Sequence, residues 1–317
     1  MTHRDVGIVI VTYNSAHEIG ACLDAAMRAG AQLMVVDNAS TDGTVAEVRR
    51  RGVQLIANST NRGFAAAVNQ GFAVLKRTYI LLLNPDAVLQ GDVEPLCEAC
   101  DLPGAAGAGG QLLDAGGRPQ YGFMVRQLPT ALTLVLEALL LNRVWPNNPV
   151  NRRYRAVGLD YRSRIQVEQP AGAFLMIRRD VWEVLGGFDE DFHPLWFEDV
   201  DFCRRAVDRG YRWYYEPRAV AKHTGAHSIS SLSVELRRFY WYRSLLKYTA
   251  KHCPPRAFRG VSLAVAAGSV LRVIAETVVE CSFKPIAVSG NVVRLASRCF
   301  WSGREAVLTG PLQKARK

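Results

Sequence analysis

Four apolar segments near the start of the chain decide the fold, and each of them ends in polar residues. They read VGIVIVTYN (6–14), QLMVVDNAS (32–40), VQLIANSTNRGF (53–64) and TYILLLNPD (78–86). The apolar part of each is rich in Val, Ile and Leu and has the length of a buried strand. Helix-length segments separate them, so the pattern predicts an α/β fold with a mainly parallel central sheet and flanking helices.

The remaining elements follow from the same pattern. The predicted strands are 6–11, 32–36, 53–57, 78–83, 172–177 and 211–215. Five predicted helices end at Ala29, Arg51, Lys76, Leu185 and Arg209. The other predicted helices are the apolar segment 130–145 and the tail helices 232–252, 261–280 and 291–300. Ser15 and Glu18 have the spacing of a capping box, which predicts the start of the first helix.

The polar residues after the strands are expected to meet in one crevice, because ligands of such sheets bind beyond the carboxyl ends of the strands. One polar loop is common in any α/β protein, but four together favour a binding site. The four are Thr12-Tyr13-Asn14, Asp37-Asn38, Asn61-Arg62-Gly63 and Asn84-Pro85-Asp86. The chain has neither a GxGxxG fingerprint after its first strand nor a GxxxxGK[ST] phosphate loop, so a bound nucleotide needs another partner for its phosphates.

Three carboxylates, Glu198, Asp199 and Asp201, lie at a predicted helix start, directly after Trp196 and Phe197. Acidic residues in a first turn commonly do no more than interact favourably with the helix dipole. The aromatic neighbours support a second interpretation, since apolar surroundings raise the pKa of a carboxylate enough for it to accept a proton from a hydroxyl group.

His223 and Asp86 each follow or end a predicted strand and are the best candidates for a metal site. A lone histidine is more commonly a hydrogen-bonded structural residue than a ligand. A divalent cation between these two side chains would, however, offset the charge of a diphosphate and explain the absence of a glycine-rich cradle.

Composition and charge exclude several classes of protein. The chain is 49% hydrophobic and 21% charged, and this balance excludes a disordered chain and a polytopic membrane protein. Residues 232–317 contain 15 Lys and Arg but only 4 Asp and Glu, a net charge of +11. A basic tail with interleaved aromatic residues predicts binding to an anionic membrane surface, and no nucleic-acid reader motif is present.

Neither apolar helix of the sequence is expected to span a bilayer. The run Val261–Leu271 has about 11 apolar residues where a span needs about 20. Segment 130–145 is also too short, and burial against the body and shallow interfacial insertion remain open for it. The first residues lack a signal-peptide cleavage site, which predicts a cytoplasmic protein.

The seven cysteines are odd in number and scattered, which favours reduced thiols over a disulfide framework. Cys97 and Cys100 have the spacing of a zinc site, but no second pair or nearby His follows them. They are predicted to pack a helix instead.

In this order and at this spacing, the motifs resemble those of family 2 inverting glycosyltransferases with the GT-A fold. The resemblance extends over about residues 6–228 and rests on the four strand-end motifs together with Gly172-Ala173-Phe174, Gly186-Gly-Phe-Asp-Glu190, Glu198-Asp199-x-Asp201 and His223. Within the family, Leu-Asn-Pro-Asp and the spacing from Gly-Gly-Phe-Asp-Glu to Glu-Asp are most similar to bacterial rhamnosyltransferases that build cell-surface polysaccharides.

The resemblance implies a nucleotide-sugar site formed by Thr12, Tyr13, Asn14, Asp37, Asn61, Arg62, Gly63, Asn84 and Asp86. Asp37 is expected to accept the N3–H of a uracil or thymine ring, because a carboxylate only accepts hydrogen bonds. Asp86 and His223 are expected to bind Mg²⁺ or Mn²⁺. Asn84 stands where the family's Asp-x-Asp motif has its first aspartate, so one negative charge is missing from this metal site.

The resemblance also implies that Asp199 is the catalytic base, assisted by Glu198. The acceptor site is expected to contain Gly172, Ala173, Trp196, Glu198 and Asp201. The reaction implied is transfer of L-rhamnose, with inversion, from dTDP-L-rhamnose to a polyprenyl-diphosphate-linked glycan at the inner face of the cell membrane. Alternatives are UDP-galactofuranose or another UDP-hexose as donor, and a non-catalytic nucleotide-sugar-binding protein.

Two domains are predicted. Residues 1–231 form the GT-A catalytic domain, with a nucleotide-sugar-binding half (1–103) and an acceptor and catalytic half (104–231). Residues 232–317 form a basic, amphipathic helical region that associates with the membrane. The sequence leaves the oligomeric state open.

Overall fold

The computed structural model of the chain describes residues 5–225, 232–280 and 284–308. The strands are β1 Val6–Thr12, β2 Gln32–Asp37, β3 Gln54–Ala57, β4 Tyr79–Leu83, β5 Ala87–Leu89, β6 Ala105–Leu113, β7 Val125–Arg126, β8 Ile165–Val167, β9 Gln169–Pro170, β10 Phe174–Arg178 and β11 Arg212–His223. The helices are α1 Ile19–Arg28, α2 Thr44–Arg50, α3 Phe64–Val74, α4 Glu94–Cys100, α5 Ala131–Ala138, α6 Leu141–Val144, α7 Pro149–Tyr154, α8 Arg179–Leu185, α9 Glu198–Asp208, α10 Val234–His252, α11 Pro255–Glu280, α12 Lys284–Ser302 and α13 Glu305–Leu308.

One large sheet carries the fold, with strand order β3-β2-β1-β4-β10-β6-β11-β5 and β8 paired to β11. The first four strands are parallel, as predicted, because the helices between them return the chain to the same edge. β10 runs antiparallel to both of its neighbours. The carboxyl ends of β1, β2, β3 and β4 therefore share one edge of the sheet.

The central strand β6 was not among the predicted strands, because six of its nine residues are Ala or Gly. Small residues are needed where this strand passes its neighbours. A Cβ on Gly107 would lie 2.1 Å from the carbonyl oxygen of Met176 on β10. The buried face of this strand is therefore made of backbone and methyl groups, which a search for β-branched residues overlooks.

The predicted capping box does not form. The Ser15 hydroxyl donates to the Tyr13 carbonyl, and the Ser15 backbone N–H donates to the Thr44 hydroxyl at 2.8 Å. The first helix begins only at Ile19, without a side-chain cap. The prediction was wrong because Ser15 lies in the loop between β1 and α1, where its backbone N–H is bound by Thr44 at the start of α2.

The apolar segment 130–145 is two helices rather than one. α5 ends at Ala138, and Leu140 then takes a left-handed backbone conformation with φ of +63° before α6 begins. β11 also differs from its prediction, since it continues past Tyr215 to His223. Cys97 and Cys100 are buried in α4, where the Cys97 sulfur lies 3.6 Å from the sulfur of Met176. This confirms their predicted packing role.

The tail contains a longer apolar helix than the sequence predicts. α11 is continuous over 26 residues, and an 18-residue window within its segment Pro255–Thr277 has a mean hydropathy of 1.5. By length and composition it meets the requirement for a membrane span, so the argument from length against a span was wrong. In α10, by contrast, Tyr242, Lys247 and Tyr248 are at most 3% exposed, so these aromatic and basic residues of the predicted membrane-binding tail belong to a core.

The chain divides into two compact units by its internal contacts. One comprises Met1–Leu128, Arg155–Pro194 and Glu198–Ser231, and the other Pro129–Tyr154, Leu195–Phe197 and Leu232–Lys317. The second unit thus contains the tail helices together with two segments from the middle of the chain. The predicted domain boundaries stay a prediction; their residues 226–231 and 309–317 lie outside the described part of the chain.

Candidate active site

The ends of β1 and β2 are joined by a buried hydrogen-bond network around Asp37. The Thr12 hydroxyl donates to Asp37 Oδ1 at 2.8 Å, and both residues are at most 1% exposed. The Ser40 hydroxyl donates to the same oxygen at 2.5 Å, and the Ser40 N–H donates to Oδ2 at 2.9 Å. Asp37 Oδ1 is therefore saturated, whereas Oδ2 keeps a lone pair for one further donor.

Neighbouring loops are tied to the same place. The Asn38 side chain donates to the Gly63 carbonyl at 3.0 Å, and the Asn61 side chain accepts the Gly63 N–H at 2.9 Å. The Asn14 side chain accepts the N–H of Thr41 at 2.8 Å. The Arg62 N–H donates to the Asn38 side chain at 3.3 Å, and Tyr13, next to Thr12, is partly exposed. The structure thus brings together three of the four strand-end motifs.

The fourth motif meets His223 because of strand pairing. β5 runs antiparallel to β11, with Ala87 opposite His223, so Asp86 comes next to the histidine ring. His223 Nε2 lies 3.4 Å from Asp86 Oδ1 and 3.4 Å from the Asn84 side-chain nitrogen. Burial raises the pKa of Asp86, but His223 and backbone N–H groups lower it more, and the net pKa lies below its usual value.

Gln120 orients His223, and sequence analysis missed this residue. Its amide nitrogen donates to the His223 backbone carbonyl at 2.8 Å, and its amide oxygen lies 3.0 Å from His223 Nδ1. Because a carbonyl only accepts, the first bond fixes the amide orientation, so the amide oxygen accepts a hydrogen bond from the protonated Nδ1 of His223. Nε2 is thereby directed at Asp86, and Phe123 stacks on the ring at a centroid distance of 5.3 Å.

The Asp86 and His223 pair fits a small divalent cation. Two ligands at about 2.1 Å that meet a metal at a right angle lie about 3 Å apart, close to the separation seen between these atoms. No third His, Cys, Asp or Glu completes a metal cluster within the described part of the chain. The remaining ligands would have to be water or oxygens of a bound diphosphate.

The carboxylates at the start of α9 have three different environments. Asp199 Oδ2 accepts the N–H of Gly172 at 3.0 Å and Oδ1 accepts the N–H of Val200 at 2.8 Å. Burial raises the pKa of Asp199, and these backbone bonds and Arg126 counteract part of the effect. A Cβ on Gly172 would lie 3.2 Å from Asp199, so the glycine permits this close contact.

Glu198 is 5% exposed, and its Oε2 is buried without a hydrogen-bond partner among the residues that the structure describes. Burial, with the charge of Asp199 beside it, raises the pKa of Glu198 well above its usual value. Glu198 is therefore the member of the pair that holds its proton more tightly, and Asp199, stabilised as a carboxylate by two backbone N–H groups, is the better proton acceptor.

Asp201, predicted as an acceptor residue, is engaged inside the protein. It is fully buried, and its Oδ2 accepts from Arg205 at 2.7 Å. Arg205 also donates to the carbonyls of Leu185 and Gly187 at 2.7 and 2.8 Å. This pair holds the turn after α8 against α9, which is a structural task.

The remaining predicted acceptor residues, Ala173 and Trp196, belong to different compact units. The Ala173 carbonyl accepts the N–H of Asn84 at 2.9 Å and so links the ends of β4 and β10. Trp196 belongs to the short segment Leu195–Phe197, which is grouped with the C-terminal helices and where Phe197 packs on Trp241 and Tyr248. Trp196 and Phe197 both have a positive φ, +76° and +71°.

The sheet order, the strand-end site and the paired carboxylates together define a GT-A type glycosyltransferase fold. Residues 7–184 match the sequence profile described as Glycosyl transferase family 2. The chain belongs to this family of glycosyltransferases, as its motifs predicted.

Two bacterial relatives and one solved structure illustrate the similarity. The chain is 29% identical over 275 residues to the N-acetylglucosaminyl-diphospho-decaprenol L-rhamnosyltransferase of Mycobacterium tuberculosis, covering 77% of this chain and 88% of the relative. It is 24% identical over 195 residues to rhamnosyltransferase WbbL of Escherichia coli, covering 60% and 69%. The mannosyltransferase PcManGT from Pyrobaculum calidifontis, solved with GDP-Man and Mn²⁺, has the same fold, with a TM-score of 0.51, 18% identity, and coverage of 99% of this chain and 88% of that one.

Proposed function

We propose that this glycosyltransferase moves L-rhamnose from dTDP-L-rhamnose to a hydroxyl group of a polyprenyl-diphosphate-linked glycan, with inversion at the anomeric carbon. The observation that carries the proposal is the arrangement of Asp199, a partly buried carboxylate held by the Gly172 N–H with a raised pKa. The choice of sugar and acceptor is supported by the relative from M. tuberculosis, whose name specifies both.

The donor would bind along the carboxyl ends of β1 to β4. The open lone pair on Asp37 Oδ2 would accept the N3–H of the thymine ring. Asn61, Arg62 and Gly63 would border the base and the diphosphate. Asn84 would contribute hydrogen bonds but no charge.

Asp86 and His223 would hold Mg²⁺ or Mn²⁺, with Gln120 keeping the histidine ring in position. When bound, the cation would offset the negative charge on the diphosphate leaving group. The Mn²⁺ in the P. calidifontis structure supports a divalent metal in this fold.

The transfer would be a single displacement. Asp199 takes the proton from the acceptor hydroxyl, the acceptor oxygen attacks the anomeric carbon, and the bond from that carbon to the diphosphate oxygen breaks with its electron pair on the leaving dTDP. Glu198, whose pKa is raised well above its usual value and whose Oε2 has no partner among the described residues, would donate a hydrogen bond to the acceptor and orient it.

The test is dTDP or UDP release by the purified protein with dTDP-L-rhamnose, UDP-galactofuranose and UDP-glucose, in the presence of a polyprenyl-diphosphate-linked acceptor and either Mg²⁺, Mn²⁺ or EDTA. Asp199→Asn is expected to lower kcat by about 10²- to 10⁴-fold, the usual contribution of a general base. Asp208→Asn, the same change on the exposed end of the same helix, serves as the control.

NMR of the product gives the anomeric configuration, which is expected to be opposite to that of the donor. If UDP-galactofuranose is the only donor turned over, it takes the place of dTDP-L-rhamnose in this proposal. Equal rates for Asp199→Asn and the wild type would exclude Asp199 as the base.

A further inference from the structure

A surface cleft that the proposed function does not use lies within the first compact unit. Its volume is about 540 Å³, in the range of pockets that hold small ligands. Its lining combines aromatic and polar side chains, chiefly Tyr121, Tyr161, Gln111, Asp160 and Arg162. None of these residues belongs to the nucleotide-sugar site, the metal site or the carboxylate pair described above. We call this cleft the tyrosine cleft.

Three tyrosine rings pack in series at the tyrosine cleft. Tyr121, which is 59% exposed, packs on Tyr161 with a centroid distance of 4.8 Å. Tyr161 in turn packs edge-on against the buried ring of Tyr215, at 5.3 Å. The Tyr161 hydroxyl donates to the Ala156 carbonyl at 3.1 Å, which fixes the loop that forms one wall of the cleft. Tyr121 therefore rests on a fixed support and still exposes more than half of its surface.

Polar side chains of the tyrosine cleft are available to a ligand. Within residues 5–225, 232–280 and 284–308, neither the Gln111 amide nor the Arg162 guanidinium group makes a hydrogen bond or ion pair. Asp160 Oδ1 accepts the backbone N–H of Arg162 at 3.1 Å, and Oδ2 accepts the Ser163 hydroxyl at 3.2 Å. These two bonds orient the carboxylate and leave each oxygen a lone pair. The cleft thus has donors and acceptors beside an exposed aromatic ring.

This combination of groups suits a sugar ring. The C–H groups of a sugar carry a small positive charge, which the electron-rich face of an aromatic ring attracts. Sugar hydroxyl groups both donate and accept hydrogen bonds, so they can pair with Gln111, Asp160 and Arg162. The lining contains one acidic and one basic side chain, and this balance gives no preference for an anion such as a phosphate. A neutral saccharide is therefore the class of ligand that the cleft favours.

The tyrosine cleft lies close to the metal site but does not coincide with it. Gln111 on β6 pairs with Val220 on β11, three residues before His223, which corresponds to about 10 Å along the strands. Gln120, which orients His223, is followed directly by Tyr121. A ligand in the cleft would therefore lie beside the reacting sugars rather than among them.

We propose that the tyrosine cleft is a further acceptor subsite, which binds a sugar ring of the glycan other than the ring that receives the new sugar. Tyr121 packs on this ring, and Gln111 and Arg162 form hydrogen bonds with its hydroxyl groups. The proposal deepens the proposed function and rests on it for the source of the saccharide. The acceptor glycan would then extend beyond the one N-acetylglucosaminyl group in the name of the M. tuberculosis relative.

The test is saturation-transfer-difference NMR of the full-length protein without donor. The probes are N-acetylglucosamine, methyl α-L-rhamnoside, methyl α-mannoside, methyl β-galactoside and thymidine. The wild type is expected to bind at least one of the four sugars with a Kd of about 1 mM, as the usual affinity per atom of a small ligand predicts.

Variants of the tyrosine cleft are compared in the same titrations. Tyr121→Ala is expected to weaken sugar binding about tenfold, whereas Tyr121→Phe keeps the ring and should lose at most about fivefold. Arg162→Ala should weaken binding about fivefold through its lost hydrogen bond. The matched controls, Trp301→Ala at a 79% exposed tryptophan and Arg49→Ala at an exposed arginine of α2, should bind like the wild type. Thermal unfolding shows whether each variant is folded.

Steady-state transfer adds a readout that general damage would not give. Tyr121→Ala should raise KM for a lipid-linked acceptor that carries a disaccharide, while KM for one that carries a monosaccharide stays the same. The value of kcat should be unchanged with both acceptors, because the cleft lies outside the reacting groups. Displacement of the neighbouring Gln120 would instead lower kcat with both.

Three results of the NMR titrations would overturn the proposal. Binding of none of the four sugars by the wild type would exclude a saccharide site. Equal sugar affinity in the wild type and Tyr121→Ala would place the bound sugar elsewhere on the protein. Binding of thymidine but of no sugar, lost in Tyr121→Ala, would assign the cleft to a nucleotide. Because these titrations require no transfer activity, the subsite and the proposed function fail or succeed separately.

Discussion

Replacing Gln120 by methionine is expected to weaken metal binding without touching a metal ligand. Methionine has a similar length but cannot make the two hydrogen bonds to His223, at 2.8 Å to its carbonyl and 3.0 Å to Nδ1. Each such bond contributes about 1 kcal/mol, so the free energy of unfolding should fall by about 2 kcal/mol. Freed from its partner, the imidazole can rotate and exchange its tautomer, and loss of such an outer-shell partner typically lowers metal affinity about 10- to 100-fold.

The assay is electron paramagnetic resonance of free Mn²⁺ during titration of the protein in the presence of dTDP, alongside urea unfolding. Gln70→Met is the matched control, because Gln70 exchanges two side-chain hydrogen bonds with Asn58, at 2.9 and 3.1 Å, away from His223. Both variants should lose similar stability, and only Gln120→Met should lose Mn²⁺ affinity. Equal Mn²⁺ affinity in wild type and Gln120→Met would refute the positioning role.

Three further outcomes are expected. The pKa of Glu198 is raised in the folded state, so the native protein binds this proton more tightly than the unfolded chain does. The contribution of Glu198 to stability therefore falls as pH rises above the unfolded pKa of about 4.5. In Glu198→Gln, the free energy of unfolding measured in urea should fall less between pH 5 and 8 than it does in the wild type. Asp201→Asn should destabilise by up to about 3 kcal/mol, because Arg205 loses its buried partner, yet leave KM for the acceptor unchanged in steady-state assays. Gly172→Ala should displace Asp199, so in steady-state assays kcat should fall while KM changes less.

The parallel half of the fold could be predicted because each of its strands is a run of branched aliphatic residues between polar ends. β6 could not, since its Ala and Gly residues are selected by the close passage of β10, a long-range contact that leaves no local pattern. The break at Leu140 was missed for the opposite reason. An unbroken apolar sequence from 130 to 145 predicts one helix, although tertiary packing divides it.

In the candidate site, the motif residues at the strand ends could be identified from the sequence, and the structure places Asp86 beside His223 and Asp199 beside Gly172. Gln120 could not be identified, because a single glutamine in a loop belongs to no recognisable sequence pattern. Asp201 shows the converse. Its place in an acidic motif suggested a ligand contact, whereas its partner Arg205 lies four residues along the same helix. The roles of these residues in binding and catalysis stay predictions.

The makeup of the second compact unit limits how the chain can be shortened. Two of its segments, 129–154 and 195–197, lie within the sequence of the first unit, and the side chains of Leu134, Ala138 and Phe197 are at most 7% exposed. A fragment that ends before Leu232 would keep these segments but lose the helices that cover them. Such a truncation is expected to aggregate rather than yield a free-standing catalytic fragment, so expression trials should retain the C-terminal helices.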